Sequence, residues 1–559
     1  MMEITHFSTP TYVYAVDRCT LNIRIQTNAA IEKIEIYYQN LYDHSQNLKR
    51  KTLSLLFEDG SHWFYEAKIS IKERHFKYYF ALTNDGKTSY FTSDGLLEEI
   101  LPVNYFYYSA INDDEILNLP KWAEGEIIYQ LLIDRFYDGD PSNNPENCRH
   151  PEELPDRSTY YGGDFQGIIK KLDYLKSLGV KIIYLSPLFL SPTYHKYDIK
   201  DYYQIEAIYG GEAGLKELVQ KAHEKGLRII LDGIFNHCSS EHPFFQDLLR
   251  NGEKSPYRDW FYVYSYPVNP ELLNYDSFAC QVPSMPRFNT SNPEVIAYLT
   301  ESAAYWTRTL DIDGWRLDVA DEVAPSFWRE FRRKVKAVQP EAIIIGEVWN
   351  QASRWLYGDQ FDSVTNYKYR QHLLDFLLGK IDSNVFWKRV IRNLILYYTP
   401  THNYLVNLVG SHDTIRLITA LKNEKMHFLA LAITLLINGM PLIYYGDEVG
   451  LEGDVDPDNR RAFPWHITKR ELGMLQDIGN IRSASKVLKK GNLLPLYTKS
   501  RLLGFMRRYG EEEIIVYGNF SESEEEVSVD PDKIFYGEFA VISGGILIPP
   551  YSIIIIKNK

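Results

Sequence analysis

Asp318 and Arg316 stand two residues apart in DGWRLDV (313–319), a stretch whose alternation predicts a strand with both side chains on one face. A guanidinium at that spacing holds a carboxylate ionised, as a nucleophilic oxygen must be. Glu347 follows Ile343, Ile344, Ile345 and Gly346 and precedes Val348 and Trp349. Those surroundings disfavour its charged form and raise its pKa, which suits a general acid. Two such carboxyls about 5 to 5.5 Å apart are the pair that retaining glycoside hydrolysis requires: one attacks the anomeric carbon, the other protonates the departing oxygen and then activates water. Other apolar runs also end in polar residues: Asp232, Asn236 and His237 after one, His412 and Asp413 after another, Asp447 and Glu448 after a third. A lone acid at a strand end is more often a turn cap, but coincidence at five strand ends implies one polar cluster.

Such a cluster needs strands that deliver their C-terminal ends to one place. Eight short apolar runs (127–134, 180–187, 228–235, 313–319, 342–348, 363–366, 404–411 and 441–448) alternate with helical periodicity, the pattern of a parallel α/β sheet. One helical face carries Ile168, Leu172, Leu175 and Leu178, another Leu215, Leu218, Val219 and Ala222. Eight βα units predict an α/β fold, a closed (β/α)8 TIM barrel, in which reactive groups gather at the strand C-termini. The third and fourth strands are separated by far more than a usual loop, so 238–292 reads as an inserted domain over the barrel mouth. Before the barrel, residues 1–118 alternate like a β-sandwich. After 119–489, residues 490–559 again read as strands and form a C-terminal β-sandwich.

Across the 559 residues, 45% are apolar and 24% charged, with a formal net charge of −13. That balance describes an ordinary folded chain and argues against a nucleic-acid or anionic-membrane partner. The 43 tyrosines offer rings suited to sugar surfaces, although packing accounts for most tyrosines in most proteins. Cys19, Cys148, Cys238 and Cys280 form no Cys-x-x-Cys pair, so reduced thiols are expected. His237, Cys238 and His242 lack a third well-spaced zinc ligand. With neither a leader-like start nor a long apolar run, cytoplasmic residence is the expectation.

The motifs DGIFNH (232–237), GWRLDVADE (314–322), GEVW (346–349), NLVGSHDT (407–414) and GMPLIYYGDE (439–448) together resemble the α-amylase superfamily, glycoside hydrolase family 13, and its cyclomaltodextrinase, neopullulanase and maltogenic amylase branch. The resemblance runs nearly end to end. It implies Asp318 as nucleophile, Glu347 as acid/base and Asp413 as a third carboxylate that grips sugar hydroxyls. Arg316, His237 and His412 match residues around the reacting sugar, Tyr197 a ring that stacks on it, and Asp232 a supporting carboxylate. On the acceptor side it implies Glu322 and Trp355. MPRFN (285–289) resembles the branch's MPKLN, and VADE (319–322) its Val-Ala-Asn-Glu.

The same resemblance implies a structural Ca2+ held by Asp138, Asp140, Asn143, Asn144, the Gly162 carbonyl and Asp164, hard oxygen donors of the right kind; a plain Asx/Pro turn is the alternative. It further implies a homodimer through the N-terminal module. The activity implied is cleavage of α-1,4 bonds in cyclodextrins and maltooligosaccharides, with pullulan or starch as further candidate substrates. A glucan-binding scaffold without catalysis and a glucanotransferase stand as alternatives.

Overall fold

The computed structural model describes residues 3–45, 47–101, 104–467, 469–498 and 500–558. Its centre is an eight-stranded parallel sheet: β1 (Ile127–Leu131), β2 (Val180–Leu185), β3 (Arg228–Gly233), β4 (Gly314–Leu317), β5 (Ile343–Gly346), β6 (Ser363–Val364), β7 (Val406–Leu408) and β8 (Met440–Tyr444). The hydrogen-bonded order is β6-β5-β4-β3-β2-β1-β8-β7. A parallel bridge between Thr365 and Val406 joins β6 to β7, so the sheet closes into the expected barrel and leaves no edge exposed. The sixth run, SVTN, is a strand over only two residues.

Helices cover the barrel because their apolar stripes have nowhere else to go. In Phe165–Ser177 the stripe of Ile168, Leu172 and Leu175 is buried, and in Gly211–Glu224 that of Leu215, Leu218, Val219 and Ala222. Register brings the third, fourth and fifth strand ends together as immediate neighbours: Asp232 of β3 lies beside Arg316 of β4, and Arg316 beside Ile345 of β5.

Between β3 and the helix Pro293–Leu310 the chain makes its long excursion. It contains the helix Pro243–Asn251 and a short hairpin, Ser277–Phe278 with Val282–Pro286. Bridges from His237 to Arg287 and from Phe261 to Phe288 fasten it. At the far end, Asn492–Leu496, Leu502–Tyr509, Glu512–Asn519, Ser552–Lys557 and Ile534–Tyr536 form one antiparallel sheet. Glu525–Val527, Gly545–Ile548 and Ala540–Ile542 form another, and Leu502, Val527, Ile546, Ile548, Ile554 and Ile556 fill the core between them.

A second compact unit comprises the chain up to Leu119 together with Gln351–Asp359 and Asn384–His402. Its two antiparallel sheets close over Leu21, Ile23, Ile25, Ile36, Phe76 and Phe80. Arg24, buried, holds the 384–402 segment within this unit. It donates to the carbonyls of Ile395 at 2.8 Å and Tyr397 at 2.9 Å and to Thr399 Oγ1 at 2.7 Å, while pairing with Glu66 at 2.7 Å. Sequence periodicity offered no sign that these later segments belong to the sandwich. Among the described residues, no helix is long and apolar enough to cross a membrane, and all four cysteines are free.

Candidate active site

Arg316 organises the mouth of the barrel. Its Nη1 donates to Asp318 Oδ1 at 2.8 Å and to Asp232 Oδ1 at 3.0 Å, and its Nη2 pairs with Glu347 Oε1 at 2.6 Å. The side chain is 3% exposed, so each contact acts in a poorly screened setting. Its own burial opposes the positive charge, but Asp232 and Glu347 outweigh that and hold the cation well above the ordinary value. The expectation that Arg316 serves Asp318 alone is therefore incomplete: one planar fork is shared by three carboxyls from three strand ends.

Charge balance then runs against a simple ionised Asp318. Burial pushes its carboxyl well above the usual range, Arg316 opposes, and Glu347, Asp232 and Asp413 push it further. Asp232 is raised too, first by burial, with Arg316 opposing. Burial and the neighbouring acids thus oppose the ionised form that Arg316 favours. The two-residue spacing revealed the guanidinium beside Asp318, which the structure places at 2.8 Å, and not the neighbouring acids.

Glu347 is held from both sides. Tyr367 donates its hydroxyl to Oε1 at 3.2 Å, and the backbone N–H of Val319 donates to Oε2 at 3.0 Å. The Tyr367 ring stacks on Trp349, centroids 3.8 Å apart and nearly parallel, and Trp349 is 44% exposed.

A second group surrounds Asp413. His412 Nδ1 accepts from Gln130 Nε2 at 2.7 Å, which leaves the proton on Nε2, within 2.5 Å of Tyr197 Oη and 3.0 Å of Asp413 Oδ2. Burial first, then Arg460 and Arg316, lower the His412 pKa well below the ordinary value, so the ring is neutral. Tyr197 stacks on His412 and passes its hydroxyl to Asp232 Oδ2 at 3.1 Å, which also accepts from Tyr184 at 2.5 Å. Arg460 donates to the His412 carbonyl at 3.0 Å and to Asp413 Oδ1 at 3.4 Å, and it pairs with Asp456 at 3.2 Å. His237, at the end of β3, is lowered to about 3 by burial, with the Tyr197 backbone opposing, and its ring lies 4.9 Å from that of Phe278.

Asp318, Glu347, Asp413, Arg316, Tyr197, His412 and Asp232 are thus linked through one network of contacts. Glu322 sits at its edge, 44% exposed, with its carbonyl accepting from Arg287 at 3.1 Å and its carboxylate 3.8 Å from the same guanidinium. Arg287 also holds Asn236 and Asp276. Trp355 is 6% exposed, with the Arg354 guanidinium over its ring, and Trp349 is an exposed tryptophan beside Tyr367 and Glu347. Asp447 and Glu448 stay out of the cluster. Asp447 pairs with buried Arg416 at 2.9 Å, and Glu448 accepts from Tyr129 at 2.6 Å and Tyr174 at 2.9 Å. Tyr367, Tyr184 and Arg460 escaped sequence reading. The first two look like ordinary core aromatics, and Arg460 lies twelve residues beyond the last strand-end motif.

The proposed calcium ligands gather around Asp164. It caps the helix Phe165–Ser177 through Gly167 N at 2.6 Å and accepts from Asp140 N at 2.8 Å and Asn143 Nδ2 at 3.0 Å. Asn144 donates to Asp138 at 2.7 Å and lies so close to Gly162, φ +77°, that a β-carbon there would strike its amide. Asp138 Oδ1, Asn143 Oδ1 and Asn144 Oδ1 are buried and accept no hydrogen bond. Asp140 turns its carboxylate to Ser142 instead. Among the described residues, no three His, Cys, Asp or Glu side chains gather as a metal-holding group, so the donors here are mainly amide oxygens.

Residues 130–487 match the family described as alpha amylase, catalytic domain, and residues 1–112 match the alpha amylase N-terminal ig-like domain. The chain belongs to the alpha-amylase family. As a member of that family it is a glycoside hydrolase, and the match spans both the Arg316 cluster and the Asp164 loop. It is 39% identical over 533 residues to a cyclomaltodextrinase of Thermoanaerobacter pseudethanolicus, covering 93% of each chain. It is 37% identical over 535 residues to neopullulanase 2 of Thermoactinomyces vulgaris, covering 93% of this chain and 91% of that one. A solved cyclomaltodextrinase superposes with TM-score 0.89 at 34% identity, covering 99% and 97% of the two chains.

Proposed function

We propose that this alpha-amylase family member is a retaining hydrolase of α-1,4-glucosidic bonds in cyclodextrins and maltooligosaccharides, acting also on pullulan or starch and transferring glycosyl units to sugar acceptors. The observation that carries the reading is the Arg316 fork, which holds Asp318 and Glu347 from adjacent strand ends. That arrangement lets two carboxyls address one glycosidic bond. Asp318 attacks the anomeric carbon to form a covalent glycosyl-enzyme, and Glu347 gives its proton to the departing oxygen. Glu347 then takes a proton from water, or from an acceptor hydroxyl, as the new bond forms. Asp413, with 32% of its side chain exposed between His412 and Arg460, receives the hydroxyls of the reacting ring. Tyr197 and His237 supply ring surface around it. Transfer is supported by the exposed Trp349 ring, stacked on Tyr367 beside Glu347, and by the exposed Glu322, whose N–H donates to the Val319 carbonyl.

A scaffold without turnover would have no use for three carboxyls wired to one cation, so hydrolysis is preferred. A calcium ion fits the Asp164 loop, because three buried oxygens there lack partners and such oxygens are hard ligands. Asp138, Asn143, Asn144, the Gly162 carbonyl and Asp164 would hold it, bracing the loop after β1. The exposed Phe7, Tyr42 and Tyr107 of the N-terminal unit support pairing with a second copy of the chain.

The test is the anomeric form of fresh product, followed by NMR, from cyclodextrin, maltotriose, pullulan and starch. The α-anomer should appear first. Release of the β-anomer, or binding with no cleavage, would overturn the reading.

A further inference from the structure

Val319 follows Asp318 with φ 47° and ψ 44°, in the left-handed region. For a β-branched residue this is a genuine outlier. The side chain is not deeply buried, so packing of its methyl groups does not explain the conformation. Strain of this kind persists only where its surroundings over-determine it, and here they do. In an extended chain successive N–H groups point to opposite sides, yet those of Val319 and Ala320 both face Glu347. The first donates to its Oε2 at 3.0 Å and the second to its backbone carbonyl at 3.1 Å. Trp328 Nε1 holds the Ala320 carbonyl at 2.8 Å, and Glu322 N–H returns to the Val319 carbonyl at 3.2 Å.

The two oxygens of Glu347 are therefore not equivalent. Oε1 takes Arg316 at 2.6 Å and Tyr367 at 3.2 Å, so Oε2 is the oxygen free to carry and exchange a proton. We propose that the left-handed turn at Val319 is a positioning device: its backbone N–H fixes the proton-transferring oxygen of Glu347 relative to the Asp318 carboxylate. The inference rests on the retaining mechanism proposed above and goes beyond it by assigning the task to a backbone amide. Val319 is a positioning residue, and the device depends on the amide and the turn, not on the isopropyl group.

Replacing the residue 319 amide by an ester, through incorporation of α-hydroxyisovaleric acid in the full-length protein, removes this donor and nothing else from the side chains. One hydrogen bond to a charged group corresponds to about a 10-fold or larger loss, so kcat/KM for maltotriose should fall by at least that much. For α-maltosyl fluoride, whose leaving group departs without a proton, the loss in kcat/KM should stay within about 3-fold, since kcat/KM reports the step that forms the glycosyl-enzyme and that step then needs no acid. A second variant, Val319→Gly, adopts the turn without strain. It should keep maltotriose turnover within about 3-fold of wild type at equal or higher Tm. An ester form with unchanged kcat/KM for maltotriose, or one that loses equally on both substrates, overturns the proposal, as does a large loss in Val319→Gly. Failure of the wild-type protein to cleave either substrate overturns instead the mechanism on which it rests.

Discussion

Two buried arginine sites lie at opposite ends of the same barrel. At the C-terminal mouth, Arg316 faces Asp232, Asp318 and Glu347. At the N-terminal end, Arg482 donates only to backbone carbonyls: Gly125 before β1, Leu435 and Ile437 at the end of the helix Glu424–Leu436, and Gly439 before β8. Arg507 beside it reaches the carbonyls of Gly491 and Leu436. Both arginine sites are almost fully buried, yet charge is balanced in opposite ways. Carboxyls hold the Arg316 cation far above its ordinary value, whereas burial pulls Arg482 down to about 9. Carbonyls satisfy N–H groups without carrying protons, so the lower site can only brace helix ends. Carboxyls at the mouth can carry and pass protons, and chemistry arises there. Depth of burial does not separate the two; the partners do.

The sharpest test of this contrast is at Asp318 and Glu347. Asp318→Asn and Glu347→Gln should each lower kcat on maltotriose by about 10⁴-fold or more, with thermal melting changed little, as measured by steady-state kinetics and calorimetry. If either retained near-normal turnover, the mouth would be no more than a second structural site. At the lower end the effects should invert. Arg482→Met strands four carbonyl acceptors and should cost about 3–5 kcal/mol of stability, read from denaturant unfolding. Turnover per folded molecule at 25 °C should remain unchanged, and a selective loss of activity would break the division of labour.

Glu448 sharpens the comparison with a smaller effect, because it is a buried carboxyl at the reactive end without a cation. Burial raises it to about 7 while Tyr129 and Tyr174 oppose. A carboxyl raised on folding binds its proton more tightly in the native state. Its stabilising contribution is therefore complete below the unfolded value near 4.5 and is lost as pH rises to about 7. Glu448→Gln should abolish that decline, gaining up to about 3 kcal/mol over wild type at pH 8 and less at pH 5. Unfolding curves that run parallel for the two proteins from pH 5 to 8 would place the proton elsewhere.

Much of the site could be read before any fold was known. Arg316 and Asp318 share a face because strand side chains alternate, a matter of covalent geometry, and Glu347 announced itself by the apolar run before it. Asp447 and Glu448 looked equally eligible at the end of β8. Only packing shows them bonded to Arg416 and to two tyrosines, because nothing in strand periodicity says which residues of other strands lie within reach. The same blindness hid Arg460 and the exposed Trp349 ring, since exposure depends on neighbours distant in sequence.

Local pattern by itself determined eight strand-forming runs, the helices that cover them, the β-rich ends and the acids at the strand termini, because turn chemistry and hydrophobic period act over a few residues. Tertiary structure alone decided that one guanidinium serves three carboxyls, that residues 351–359 and 384–402 belong with the sandwich, and that Val319 turns left-handed to hold Glu347. Those outcomes depend on distances between segments tens to hundreds of residues apart, and on the low dielectric that exists only once the barrel has closed and expelled its water.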